Sequence, residues 1–225
     1  MSRLVVRIVR ASIAFVIAIG LTIFLPAGTL GYWQAWLFLA VYVVLAAFTS
    51  LYLFRYNRAL FELRMKTGPS TEQSLPRKLM HFLILGALVA QMVVSSLDHR
   101  FQWTTVPALV TIAGDLIAVV AFCTYFLVMR ENSYASGNIE IVNDQRVVAS
   151  GPYALVRHPM YVGLLLFFLG TPLALGSYYG LIFLAVAVPT LIWRLLDEEH
   201  FLIRNLPGYA DYMRHTHWRL VPGIF

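Results

Sequence analysis

The chain has 225 residues, 60% of them hydrophobic and 12% charged, with a mean hydropathy of +0.72 and a formal charge of +6. A soluble domain carries about 25% charged residues, so this composition excludes a soluble domain and reads as an all-α integral membrane protein. The basic balance then reads as loop charge on one membrane side, not as a nucleic-acid surface.

Arg3, Arg7 and Arg10 open the chain, and an apolar run follows to about Leu25, closed by Pro26-Ala27-Gly28. The run is long for a signal-peptide core and is read as a retained first span. A second span runs from about Trp33 to Phe54, and a basic loop carries Arg55, Arg58, Arg64, Lys66, Arg77 and Lys78. A third covers about Leu79 to Leu97 and a fourth about Val106 to Met129. Each is near the ~20 residues that cross a bilayer core. Asp115 lies mid-way along the fourth, where an acid faces a partner or a cavity. The single cysteine, Cys123, excludes a disulfide framework, and no His/Cys cluster has zinc-ligand spacing, so no metal is expected.

A polar stretch from Arg130 to His158 follows. Within it, Ile139–Val142 and Gln145–Val148 flank Asn143-Asp144 and read as a small β-hairpin, since Asn and Asp tolerate positive φ. Met160 to Leu175 and Tyr178 to Leu196 form two short apolar helices around Gly176-Ser177, a tight helical hairpin. A polar, aromatic tail from Asp197 to Phe225 ends the chain. The expectation is a bundle of about six transmembrane helices with a small cytosolic β-hairpin and a cytosolic tail. Residues 1–129 form four N-terminal spans and residues 130–225 the catalytic region.

Every Lys and Arg except Arg100 falls on one side if the N-terminus is cytosolic. Tyr32, Trp33, Trp36, Phe101, Trp103, Tyr178 and Tyr179 gather at the other ends, as an interfacial aromatic belt does. Both termini and the stretch Gln145–Gly163 are therefore placed in the cytosol, with a bacterial-type inner membrane as the location.

That stretch, QRVVASGPYALVRHPMYVG, packs turn formers, two tyrosines, an arginine and a histidine together. Gly151-Pro152 breaks any helix. His158 precedes a proline and is biased to an extended or turn conformation, while Pro159 suits the first turn of a helix. A second cluster, Arg194-x-x-x-Glu198-Glu199, lies where the last apolar helix meets the cytosol, and its plainest reading is a helix-end ion pair. His81, His200, His215 and His217 read as surface or interfacial residues. Glu131 and Asn132 either cap a helix or join the site.

Gly151-Pro-Tyr153, Arg157-His-Pro-Met-Tyr161-Val-Gly163, Arg194-x-x-x-Glu198-Glu199, Tyr209, Tyr212 and Arg219-Leu-Val-Pro-Gly-Ile-Phe225 together resemble the signature of integral-membrane isoprenylcysteine carboxyl methyltransferases and the related phospholipid N-methyltransferases. The resemblance covers about residues 130–225. It implies an S-adenosylmethionine-dependent methyltransferase acting on a lipid-like or prenylated substrate among membrane lipids, with O-methylation of an isoprenylcysteine-type carboxylate favoured. It implies cofactor contacts from Gln145, Arg146, Val147, Val148, Tyr153, His158, Pro159, Met160, Tyr161 and Glu198, and substrate-carboxylate binding by Arg194. Many members carry histidine where Gln145 stands. An amine or thiol substrate would need a base, and His158 or Glu199 are the candidates. Membrane sterol reductases, which use NADPH, resemble the same hairpin, and a small transporter is a third reading suggested by Asp115.

Overall fold

The computed structural model describes residues 3–72 and 74–225, with side chains from Arg10 onward. The side chains of Arg3 and Arg7 lie outside the described residues. Eight α-helices follow one another: α1 (Arg3–Ala27), α2 (Trp33–Tyr56), α3 (Arg58–Met65), α4 (Leu75–Phe101), α5 (Ala108–Glu131), α6 (Pro159–Ala174), α7 (Leu184–Asn205) and α8 (Tyr209–His215). Five stretches are long and apolar enough to span a bilayer: Arg10–Ala27, Trp33–Tyr56, Leu75–Phe101, Ala108–Glu131 and Tyr179–Asn205. The chain is an integral membrane protein. α6 has only 16 residues; at ~1.5 Å per residue it falls short of the ~30 Å hydrocarbon core.

Local signals account for the helix ends. Asn57 leaves α2 in extended backbone, and its side chain accepts from the Leu60 N–H to start α3. Gln102 ends α4 in the left-handed region at φ 54°. His158 leaves the helical region at φ −125° and ψ 61°, and Pro159 opens α6. Gly208, at φ 85°, turns the chain into α8, which the sequence reading had left as tail.

No strand forms among the described residues, so the expected β-hairpin is corrected. Its turn does form: Asp144 takes φ 58° and the Gln145 N–H donates to Val142 O at 3.0 Å. The flanking backbone bonds elsewhere; Arg77 Nη1, for example, donates to Ile139 O at 3.1 Å. An isolated two-stranded ribbon is marginal, and here neighbouring elements supply its partners.

α5 and α6 form the closest helix pair, and glycines make it possible. A Cβ added to Gly170 would lie 2.8 Å from Gly114 O and 2.9 Å from Ala118 N, both backbone atoms. Small residues permit this approach where no water-driven force pulls helices together. Gly170→Val is expected to destabilise the fold by about 1–3 kcal/mol or more through overpacking, read as an earlier midpoint in SDS-titrated unfolding.

At the end of the bundle away from the His-Pro motif, Asp98 is fully buried and ties three segments together. It accepts from the Thr104 N–H at 2.7 Å, the Thr104 hydroxyl at 2.6 Å and the Ser177 hydroxyl at 2.6 Å. Beside it Tyr32 stacks on His99 with ring centres 3.8 Å apart and donates to Leu175 O. Tyr32 is 0% exposed, so it belongs to the core rather than the aromatic belt; Trp33, Trp36, Phe101, Trp103, Tyr178 and Tyr179 remain exposed there.

Candidate active site

The site gathers at the other end, around the residues that start α6. Gly151 sits at φ 58° and opens a single 3-10 turn, Gly151–Ala154. A side chain there would crowd Glu131, whose carboxylate accepts from the Ser150 hydroxyl. The turn presents Tyr153, whose hydroxyl accepts from Asn132 Nδ2 at 2.9 Å. Asn132 thereby joins the site. The motif is then stitched to the tail, as the Arg157 N–H donates to Trp218 O at 2.8 Å and the His158 N–H to Arg219 O at 3.0 Å.

Behind the motif lies a buried ion cluster. Glu199, 3% exposed, accepts from Arg157 Nε at 2.7 Å and Arg219 Nε at 2.9 Å, and lies 3.2 Å from His158 Nε2. Arg157 spends its Nη1 on Thr216 O and His217 O, at 2.9 and 2.8 Å. Expected as a candidate base, Glu199 is saturated by cationic donors and lines neither of the polar cavities described below. Its place is that of an anchor between α7, the motif and the tail. Arg157 also lines both polar cavities, and the tail folding back fixes it there.

Glu198 is different. Its carboxylate accepts from the Tyr161 hydroxyl at 2.6 Å and lies 3.9 Å from His158 Nδ1. It faces a polar cavity lined also by Gln145, Arg146, Val147, Val148, Tyr153, Arg157, His158 and Met160, with Asn138, Leu202, Tyr209 and Tyr212 among the other residues of its wall. Gln145 braces this wall, its Oε1 accepting from the Val142 N–H at 2.9 Å. Pro159, Tyr161 and Arg194 line a smaller adjoining cavity, together with His158, Met160 and Glu198. Thus the expected cofactor residues, far apart in the chain, meet around two neighbouring cavities. Burial raises the hydroxyl pKa of Tyr153 and Tyr209, and pushes that of Tyr212 up to about 12. All three stay neutral; Tyr212 donates to Tyr153 O at 2.7 Å.

Three polar atoms around these cavities are buried and unpartnered among the described residues: Tyr209 Oη, Asn138 Oδ1 and Arg194 Nη1. Buried polar groups are nearly always satisfied, so the three mark where a polar ligand belongs.

Arg194 is 5% exposed. Its partner is not Glu198, as the helix spacing suggests, but Glu72, from the loop before α4: Nη2 lies 2.7 Å from Glu72 Oε1 and 2.8 Å from Gly137 O. Arg77 pairs with Asp197 at 2.7 Å. Residues from the first half of the chain, Glu72 and Arg77, therefore contact Arg194 and Asp197 beside the site. His81, read as surface, lies 3.4 Å from Glu72. Asp115 is 5% exposed, has no hydrogen-bond partner among the described residues and lines none of the cavities described here.

A third, apolar cavity of about 500 Å³ lies between α2, α3, α5 and α6, walled by Tyr42, Leu53, Phe61, Phe122, Tyr125, Leu164 and Phe167 among others. Met160 lines it as well as both polar cavities.

Comparison with known proteins places the chain in a family. The family model described as "Phospholipid methyltransferase" matches residues 106–207. Over 167 residues the chain is 32% identical to the cobalt-zinc-cadmium resistance protein CzcN of Cupriavidus metallidurans, covering 66% of this chain and 70% of that protein. It is 39% identical over 73 residues to the protein-S-isoprenylcysteine O-methyltransferase of Schizosaccharomyces pombe, covering 32% of this chain and 31% of the yeast protein. The chain thus spans about a third of the yeast enzyme's length. The segment matched by the family model holds the motif and Glu198, and the chain belongs to the phospholipid methyltransferase family of membrane methyltransferases.

Proposed function

We propose that this protein transfers a methyl group from S-adenosylmethionine to a lipophilic substrate held in the membrane, with O-methylation of an isoprenylcysteine-type carboxylate as the favoured reaction. One observation carries the reading: polar cavities ringed by the motif residues adjoin an apolar cavity, and Met160 borders all three. A charged cofactor and an apolar substrate would meet across that side chain.

The donor set suits the cofactor. Glu198 offers carboxylate lone pairs to an ammonium or a ribose hydroxyl. Asn138 Oδ1 offers an acceptor, and Tyr209 Oη and Arg194 Nη1 offer donors. Tyr153 and Tyr161 offer aromatic faces, to adenine or to a sulfonium. The cofactor would supply an electrophilic methyl carbon. Catalysis then rests on alignment and exclusion of water, since a carboxylate needs no deprotonation before it attacks. His158, held by Glu199 and stacked on Tyr161 with ring centres 5.6 Å apart, orients Glu198 and the cavity wall. The placement of both termini and of the site in the cytosol, in a bacterial-type inner membrane, belongs to the same proposal.

Calorimetric titration of S-adenosylmethionine into the full chain in detergent tests this. The wild type is expected to bind at micromolar concentration. Glu198→Gln, which removes one charge-assisted contact, is expected to bind about ten-fold more weakly or worse, and His158→Ala to lose binding as well. No binding by folded wild type overturns the reading.

A further inference from the structure

Resting on that methyltransferase reading, we infer that the anionic group of the substrate is read by Arg64 of α3, at the polar end of the apolar cavity, and not by Arg194. The arginines around the site divide by what they hold; Arg146 is exposed and lines the cofactor-side cavity but not the apolar one, and Arg219 is paired with Glu199 at 2.9 Å. Arg157 is paired with Glu199, Arg77 with Asp197 and Arg194 with Glu72, each at 2.7 Å. Arg194 is therefore neutralised inside the protein, and a second carboxylate at its guanidinium would stand beside the buried Glu72. Such an approach sets like charge against like charge in a water-poor place.

Arg64 is free of this constraint. Only its Nη1 is engaged, at 3.3 Å from Ala135 O and 3.8 Å from Met160 Sδ, and its guanidinium lies 5.4 Å from the Tyr125 ring centre. Nε and Nη2 have no hydrogen-bond partner among the described residues, and no carboxylate pairs with it. A guanidinium carries five donors in a fork that matches an acid group. It is half-buried in the wall of the apolar cavity, and the side chain it touches, Met160, borders the cofactor-side cavities. Arg64 stands on α3, just past the end of the span Trp33–Tyr56, so it meets the apolar cavity from its polar side.

The cavity's shape adds the second half of the substrate. Its wall on α2 runs from Tyr42 to Leu53, about 16 Å of helix at ~1.5 Å per residue. Arg64 sits at the Leu53 end, beside Phe61 on its own helix. A tail lying along that wall would put a charged head at Arg64 and within reach of the methyl donor. The substrate class is an amphipath with one apolar tail and an acidic group at or next to the reacting atom.

Photolabelling tests this without knowing the substrate. A twelve-carbon fatty acid with a mid-chain diazirine, and the alcohol of the same skeleton, are compared on the full chain in nanodiscs, with labelled peptides mapped by mass spectrometry. In the wild type the acid should label the α5 and α6 peptides around Tyr125 and Leu164 about ten-fold more than the alcohol, the worth of a charge-assisted contact. Arg64→Gln should bring the ratio near one, and Arg64→Lys should keep most of the preference. Equal labelling by both probes in the wild type overturns the inference without needing any variant. A preference that survives in an Arg64→Gln protein still binding S-adenosylmethionine also overturns it. S-adenosylmethionine is titrated into the same preparations: binding without acid preference sinks this inference alone, whereas no binding by folded wild type sinks the methyltransferase reading and this inference with it.

Discussion

Replacing Glu199 by alanine is expected to cost about 3–5 kcal/mol of stability and to release the tail from the bundle, the usual consequence of removing one partner from a buried ion pair. The carboxylate is 3% exposed and compensates Arg157 and Arg219 while holding His158. Without it, Arg157 keeps two carbonyl contacts but is left as a buried charge with no counter-ion. The motif also loses the carboxylate that joins Arg157 to α7, leaving Glu198 as the acidic contact of that helix with His158 and Tyr161. The tail would keep the backbone bonds to Trp218 and Arg219, the Arg157 contacts to Thr216 O and His217 O and the Tyr212 bond to Tyr153 O, but without the Arg219–Glu199 pair. The readouts are a lowered unfolding midpoint in detergent and faster proteolysis after Thr216. Glu199→Gln should retain hydrogen bonding but not charge, and fall between the two. A Glu199→Ala protein as stable as the wild type, with an equally protected tail, would refute the anchor role.

The second large effect is expected at Glu72 and Arg194, which the fold brings together across 122 positions of sequence. Glu72 is wholly buried at its side chain and Arg194 nearly so, at 0% and 6% exposure. Glu72→Gln and Arg194→Met should each destabilise by about 3 kcal/mol, since each leaves the other charge buried and unpaired. The double variant should be less damaging than the sum, with a coupling of about 1–3 kcal/mol. A coupling near zero in a double-mutant cycle would mean that the pair does not hold the α3–α4 loop to α7. The activity readout separates two roles for Arg194: loss of S-adenosylmethionine affinity in Arg194→Met alone points to its spare Nη1, whereas equal loss in Glu72→Gln points to the pair as a brace.

Much of this was legible in the residues themselves, for reasons of solvent. A bilayer demands runs of about twenty apolar residues, so the spans at residues 33–56 and 108–131 are visible within a few positions of their ends. Proline chemistry is equally local: His158 before Pro159 stays out of the helical region, and Pro159 takes the first turn of α6. The order of the motif pieces named the family and the residues around the cavities, from Gln145 to Glu198.

What is not local was not legible. Gly114 and Gly170 are unremarkable in their own helices, and only the crossing of α5 and α6 shows why neither tolerates a Cβ. The Asn143-Asp144 turn is present but its strands are not, because the backbone partners that decide between ribbon and loop come from α4 and other distant elements. Tyr32 read as an interfacial aromatic and is a core residue, since its burial depends on His99 and Leu175 rather than on its depth in the chain.

By itself, then, the sequence determined the membrane class, the positions of the long spans and the motif that carries the family's chemistry, because hydropathy and proline geometry act within a few residues. Only the tertiary structure decided which charges are paired and which face cavities: Glu199 is held by arginines of the motif and the tail, Arg194 pairs with Glu72 and keeps one nitrogen toward a cavity, and Glu198 and Arg64 face cavities. Charge pairing depends on distance in space through a medium of low polarity, and no spacing along the chain records it.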